Sequence, residues 1–98
     1  MYTATMRYAL KTESFGEFCR LWESEVLAQA KTASGFVRMQ LLAANPEALA
    51  IGTWKEKQHA EKFMQTGVFK KLMEKTAPML VSQPVPELWT LEAYGEGK

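Results

Sequence analysis

One imidazole serves the whole chain. His59 is the only histidine among 98 residues, so proton transfer near neutral pH falls first to it, because its unperturbed pKa lies in that range. Its neighbours Lys57, Gln58, Glu61 and Lys62 place it on the polar side of a helix. There it is either a solvated side chain or a general base at the mouth of a pocket. Tyr8 is the second candidate catalytic group. Its place in an alternating segment turns it inward, where a phenolic hydroxyl must find a partner or line a cavity. A lone histidine cannot hold zinc without three further good ligands, and no Cys or carboxylate cluster at metal spacing occurs. Nucleophile-elbow, P-loop and dinucleotide glycine patterns are missing, the six glycines being scattered. Neither a metal nor another cofactor is therefore expected. What remains for chemistry is an aromatic and Met-rich interior with few polar groups, among them Tyr8, Trp22 and Arg38.

Composition narrows the partners. Twelve basic residues face eleven acidic ones with no block of like charge, and the nearest approach to a basic cluster, Lys70-Lys71 followed by Lys75, reads as the solvated face of a helix. A nucleic-acid partner is not expected. No apolar run approaches the ~18 residues of a membrane span, and MYTATMRY has neither the charged nor the apolar region of a secretory signal. The single Cys19, set in an apolar helical stripe, reads as a small buried hydrophobe. A soluble, cytoplasmic protein with no membrane contact is expected.

These residues need elements to position them. Met1 to Leu10 alternates, with Tyr2, Ala4, Met6, Tyr8 and Leu10 on one face and Thr3, Thr5 and Arg7 on the other, which predicts a half-buried strand. Ser14 and Glu17 have the form of a capping box. Phe15, Phe18, Cys19, Trp22 and Val26 then make one apolar stripe of a helix predicted to end near Ser34-Gly35. Phe36 to Ala44 predicts a second strand, with Val37, Met39 and Leu41 opposite Phe36, Arg38, Gln40 and Leu42. Asn45-Pro46-Glu47 is turn chemistry, so strands two and three, the latter over Leu49 to Trp54, form an antiparallel hairpin. A helix follows over about Lys57 to Gln65. Thr66 caps another, in which Phe69, Leu72, Met73 and Thr76 share a face and which Pro78 discourages from continuing. Pro84 and Pro86 suit a loop or an edge, and Leu88 to Tyr94 is read as the last strand.

Ninety-eight residues fit one domain, with a core over 1–94 and a frayed tail over 95–98. A βαββαβ order folds most simply as an α+β, ferredoxin-like, four-stranded antiparallel sheet with its helices on one face. The other face then mixes Thr3, Thr5, Arg7, Arg38, Gln40 and Glu92 with Phe36, Leu42 and Leu88, too apolar for water and too polar for a dry core. A homodimer through that sheet face is expected.

From Met1 to Tyr94 the chain resembles the antibiotic biosynthesis monooxygenase domain, a family of small dimeric α/β barrels. Ser34-Gly35-Phe36-Val37 opening strand two, Trp54 closing strand three, the charged helix after it and Thr66-Gly67-Val68-Phe69 carry the resemblance. It implies a pocket between the sheet and the helices, lined here by Met6, Tyr8, Phe18 and Trp22, and by Met39, Phe63, Phe69 and Met73 from the later elements. It also implies a cofactor-independent oxygenase acting on a small aromatic or quinol-type molecule. The alternatives it leaves are a non-catalytic or stress-related module holding a hydrophobic ligand, and a haem-degrading enzyme. The departures from the family pattern bear on all three. Phe63 and Val68 stand where many members have histidines. Met6, Phe63 and Met73 stand where the haem-degrading branch has its Asn, Trp and ligating His.

Overall fold

The computed structural model describes residues 1–97. Its strands are β1 (Tyr2–Ala9), β2 (Phe36–Ala44), β3 (Glu47–Trp54) and β4 (Val85–Thr90). They pair antiparallel in the order β2-β3-β1-β4. Between β1 and β2 run α1 (Phe15–Trp22), a π-helical segment (Glu23–Leu27) and the short α2 (Ala28–Ala30). Between β3 and β4 lie α3 (Lys57–Met64) and α4 (Val68–Thr76). The result is the α+β, ferredoxin-like arrangement the element order predicts.

The core lies between one sheet face and the helices. Phe18, Trp22, Val26 and Ala30 from the first helical stretch meet Ala60, Phe63, Val68 and Leu72 from α3 and α4, all buried with Tyr8, Ala48, Ala50 and Trp54 of the sheet. Register decides where that core has room. Met6 faces Ala50, Tyr8 faces Ala48, and Ala4 faces Gly52 across β1 and β3. Small residues of β3 thus sit beside the large inward side chains of β1. The π-helical segment directly after Trp22 widens the helix by one residue, and such segments are rare outside functional or strained positions.

Several local expectations are corrected. A 3-10 turn over Thr12–Ser14 leads into α1, so Ser14 already has helical angles (φ −100, ψ −6) and makes no capping hydrogen bond; the capping box with Glu17 does not form. The helical stretch stops at Ala30 rather than near Gly35. Gly35, at φ +77, instead turns the chain into β2 and accepts a hydrogen bond from the Lys55 amide at 2.9 Å. Thr66 is not the cap residue of α4, a place taken by Gly67 at φ +86. Its hydroxyl donates back to the Phe63 carbonyl at 2.6 Å, closing α3, and accepts only a long bond from the Val68 amide at 3.4 Å.

Two corrections concern the sheet. A bulge between Phe36 and Arg38 leaves Phe36 opposite Trp54 and Arg38 opposite Thr53. The extra residue flips parity, so Phe36 joins the core edge-on to Trp54 (5.6 Å between rings) instead of facing outward. The last strand begins three residues before Leu88 and ends at Thr90. Pro86 sits inside it opposite Met6, which an edge strand tolerates because the missing N–H faces away from the neighbour. Trp89 pairs with Thr3 and lies on the outer face, donating its indole N–H to Thr5 Oγ1 at 3.0 Å, while Leu88 pairs with Ala4 on the helix side. Beyond β4 the chain crosses the outer face to the far edge. Arg38 of β2 lies 5.1 Å over the Tyr94 ring and pairs with Glu96 at 3.0 Å. Of the predicted tail, Lys98 lies outside the described residues.

Candidate functional site

Two cavities open between the sheet and the helices. The inner one, about 30 Å3, is bounded by Met6 of β1, Gly52 of β3, Met39 of β2, Trp22 of α1 and Phe63 and Phe69 beyond them. That is room for about one or two waters, not for an organic molecule. The outer one, about 200 Å3, opens to solvent between β1, α4 and the approach to β4, and Met6, Tyr8, Phe69, Met73, Gln83 and Pro86 border it. Met6 and Phe69 line both, so these two side chains form the partition between them.

The walls are held by aromatic contacts. Phe63 stacks at a tilt on Trp54 with ring centres 5.0 Å apart and meets Phe69 edge-on at 5.7 Å. Tyr8 packs at 4.8 Å on Phe18, which is fully buried and borders neither cavity. Of the side chains the resemblance assigns to a pocket, Met6, Trp22, Met39, Phe63 and Phe69 meet at the inner cavity. Met6, Tyr8, Phe69 and Met73 meet at the outer one. Sequence reasoning does not find Gln83, Pro84 and Pro86 as lining residues. Their proline content reads as a loop or edge, and nothing local says that this loop folds over Tyr8. It also passes over the small residues Ala50 and Gly52, although their alternation along strand three is a legible signal of space.

Two buried polar atoms stand out in this apolar setting. The Tyr8 hydroxyl and the Trp22 indole N–H are both buried, and neither completes a hydrogen bond of ordinary geometry. Burial raises the Tyr8 pKa well above the ordinary phenol range, and the nearby Trp22 N–H, which favours the phenolate, offsets only part of that. Tyr8 is therefore a neutral donor throughout the physiological range. Leaving such a group unpaired costs roughly 1–3 kcal/mol.

His59 lies elsewhere. Its ring is seated against Gly35, its Nδ1 is buried without a partner, and it borders a surface hollow with Ser34, Gln58, Glu61, Lys62 and Gln65. It lines neither interior cavity. Cys19 is half-buried on α1, and burial raises its thiol pKa against a smaller opposing effect of Arg20. Among the described residues no three His, Cys, Asp or Glu side chains gather as metal ligands, and no helix is long and apolar enough to cross a membrane.

The fold is that of the antibiotic biosynthesis monooxygenases. A crystal structure described as an antibiotic biosynthesis monooxygenase superposes with a TM-score of 0.79 at 12% identity, over 95% of this chain and 100% of the other. The monooxygenase from the gene ActVA-Orf6 of Streptomyces coelicolor, in complex with nanaomycin D, gives 0.80 at 14%, over 99% and 92%. A mutant of SnoaB, a cofactor-independent oxygenase from Streptomyces nogalater, gives 0.79 at 18%, over 95% and 94%. No family model and no curated protein matches the sequence. At these identities the likeness establishes the fold.

Proposed function

We propose that this chain is a cofactor-independent, monooxygenase-like protein acting on a small aromatic or quinol-type molecule held in the outer cavity. The observation that carries the reading is an apolar cavity of about 200 Å3 between the sheet and the helices, lined by Met6, Tyr8, Phe69 and Met73. The similar folds of SnoaB and of the ActVA-Orf6 product support it. Such a reaction asks little of the protein. A phenol that gives its proton to water at the open mouth of the cavity becomes electron-rich at ring carbon, and phenol plus dioxygen gives quinone plus water, the substrate supplying all four electrons. The protein's share is to orient the ring between apolar walls, of which Tyr8 is one. Oxygen uptake with a panel of phenols and quinols tests the reading. Turnover that falls when Met73→Trp fills the cavity supports it, and silence across the panel overturns it.

A second reading has its own support. No side chain lining either cavity titrates near neutrality, since Tyr8 is held protonated and His59 lies elsewhere. A pocket without a base suits a non-catalytic module that binds a small hydrophobic ligand. Native mass spectrometry of freshly purified protein separates the two, because a retained ligand without turnover favours binding. Haem degradation is the weakest reading, since Met73 stands where an imidazole ligand is needed.

Under either reading the working form is a homodimer joined through the outer sheet face, where Leu42, Val85 and Trp89 are about half exposed (47%, 55% and 51%). A reducing, cytoplasmic setting suits the single free thiol of Cys19.

A further inference from the structure

The inner cavity is too small for an organic molecule and poorly furnished for water. Its volume of about 30 Å3 exceeds the roughly 10–15 Å3 that one water-sized molecule needs. Trp22, Ala50, Trp54, Ala60 and Phe63 in its wall are each at least nine-tenths buried. A buried water needs two or more polar partners, and this wall does not supply them. Thr5 turns its hydroxyl to the opposite sheet face, where it accepts from Trp89 at 3.0 Å, and the Trp22 indole nitrogen has no free surface. β1 and β3 are paired on both sides here, which directs their N–H and C=O groups along the sheet and not into the cavity. The Trp54 indole N–H, 3.4 Å from where a Gly52 methyl would stand, is the side-chain donor that remains. An apolar space of this kind stays dry and takes up apolar guests such as xenon.

Its position matters as much as its lining. Met6 and Phe69 border both cavities, so one layer of side chains separates the inner space from the outer, and Met6 is unbranched and adaptable. Dioxygen is apolar and little wider than water. We propose that the inner cavity is a dioxygen site, which holds the gas by dispersion contact beside Gly52, Met39 and Met64 and passes it by way of Met6 to a ring in the outer cavity. The proposal rests on the reading of this chain as an oxygenase and adds the place of its second substrate.

The methionine methyls tell the two spaces apart, because Met39 and Met64 line the inner cavity and not the outer, while Met73 lines the outer and not the inner. In wild-type protein labelled with 13C-methyl methionine and free of aromatic ligand, xenon should shift the Met39 and Met64 signals and leave Met73 in place. Dissolved dioxygen should broaden the same two signals most. A crystal under xenon pressure should show the gas in the inner cavity. Gly52→Ala fills the space: Met39 stands opposite Gly52 across β2 and β3, and the added methyl would come within 2.9 Å of Met39 Cε, a flexible end that can give way. The variant should lose the xenon shift, and its KM for oxygen should rise at least about fivefold while its KM for the phenol stays within about twofold. Water in the cavity of that crystal, xenon shifts confined to Met73, or no shift at any methionine overturns the proposal. So does an unchanged oxygen KM in a variant that has lost its xenon shift. Silence of the phenol panel with the Met39 and Met64 shifts intact overturns the oxygenase reading instead and leaves the cavity a gas site. The wild-type gas measurements decide the matter even if the variant does not fold.

Discussion

The His59 imidazole is seated against the bare Cα of Gly35: a methyl group on Gly35 would come within 2.6 Å of His59 Cδ2 and closer still to Cγ. Gly35 also holds φ +77, a conformation that costs an L side chain roughly 1–2 kcal/mol. The contact pins the start of α3 to the turn before β2, and it gives the chain's one histidine a packing role.

Gly35→Ala should therefore destabilise by roughly 2–4 kcal/mol, the sum of the backbone cost and the overpacking. In urea titrations the double variant Gly35→Ala/His59→Ala should recover the steric part and keep the backbone part, a coupling of about 1 kcal/mol or more. Strict additivity of the two single substitutions would show that the ring and the glycine do not touch.

Tyr8→Phe should hold or raise stability at pH 7, by up to roughly 1–3 kcal/mol, because it removes a buried hydroxyl that completes no hydrogen bond of ordinary geometry. At high pH the two should diverge. Burial raises the folded-state pKa above the unfolded value of about 10, so the folded chain keeps a proton that the unfolded chain releases. The stability contributed is complete below pH 10 or so and declines as pH rises above it, by at most about 1.4 kcal/mol per pH unit. Urea midpoints between pH 8 and 11 check this. Wild type and Tyr8→Phe falling in parallel across that window would contradict the burial of the hydroxyl.

Leu72 of α4 is fully buried beside the outer cavity. Leu72→Ala should cost roughly 2–5 kcal/mol, since the space it leaves adds to a cavity already there and the surroundings cannot collapse onto it. Val81→Ala, at a side chain 62% exposed, should change stability by no more than about 0.5 kcal/mol. Thermal unfolding of both variants makes the comparison, and similar losses would contradict the burial pattern.

Light scattering at micromolar concentration should give twice the 11.1 kDa chain mass. Trp89→Lys, placing a charge on the outer face, should return the mass to that of one chain with the far-ultraviolet spectrum unchanged, because Trp89 is half exposed within the single chain. A wild-type mass of one chain would remove the dimer from the account.

Much of the fold was legible because hydrophobic period is a local property. The inward parity of Tyr8, the stripe of Phe18, Trp22 and Val26, and the hairpin at Asn45-Pro46 all follow from neighbours in sequence. The places that misled were those where a distant partner settles the outcome. Phe36 turns inward because a bulge opposite Thr53 and Trp54 resets parity, and Pro86 enters a strand because β4 has only one neighbour. Ser14 has cap chemistry, but the 3-10 turn before it removes the backbone geometry a cap requires.

The candidate site divides the same way. Residue type and spacing alone determined an uncharged, aromatic and Met-rich interior with Tyr8 directed into it and one histidine on a polar helix face. Only the tertiary structure decided that Ala50 and Gly52 leave space beside β1, that Met6 and Phe69 divide that space from the outer cavity, that Gln83, Pro84 and Pro86 complete the outer cavity, and that His59 rests on Gly35 outside it. Periodicity specifies which way a side chain points. Whether it meets a wall, a void or another ring depends on the residue brought opposite it from tens of positions away, and that pairing exists only once the sheet has closed under its helices.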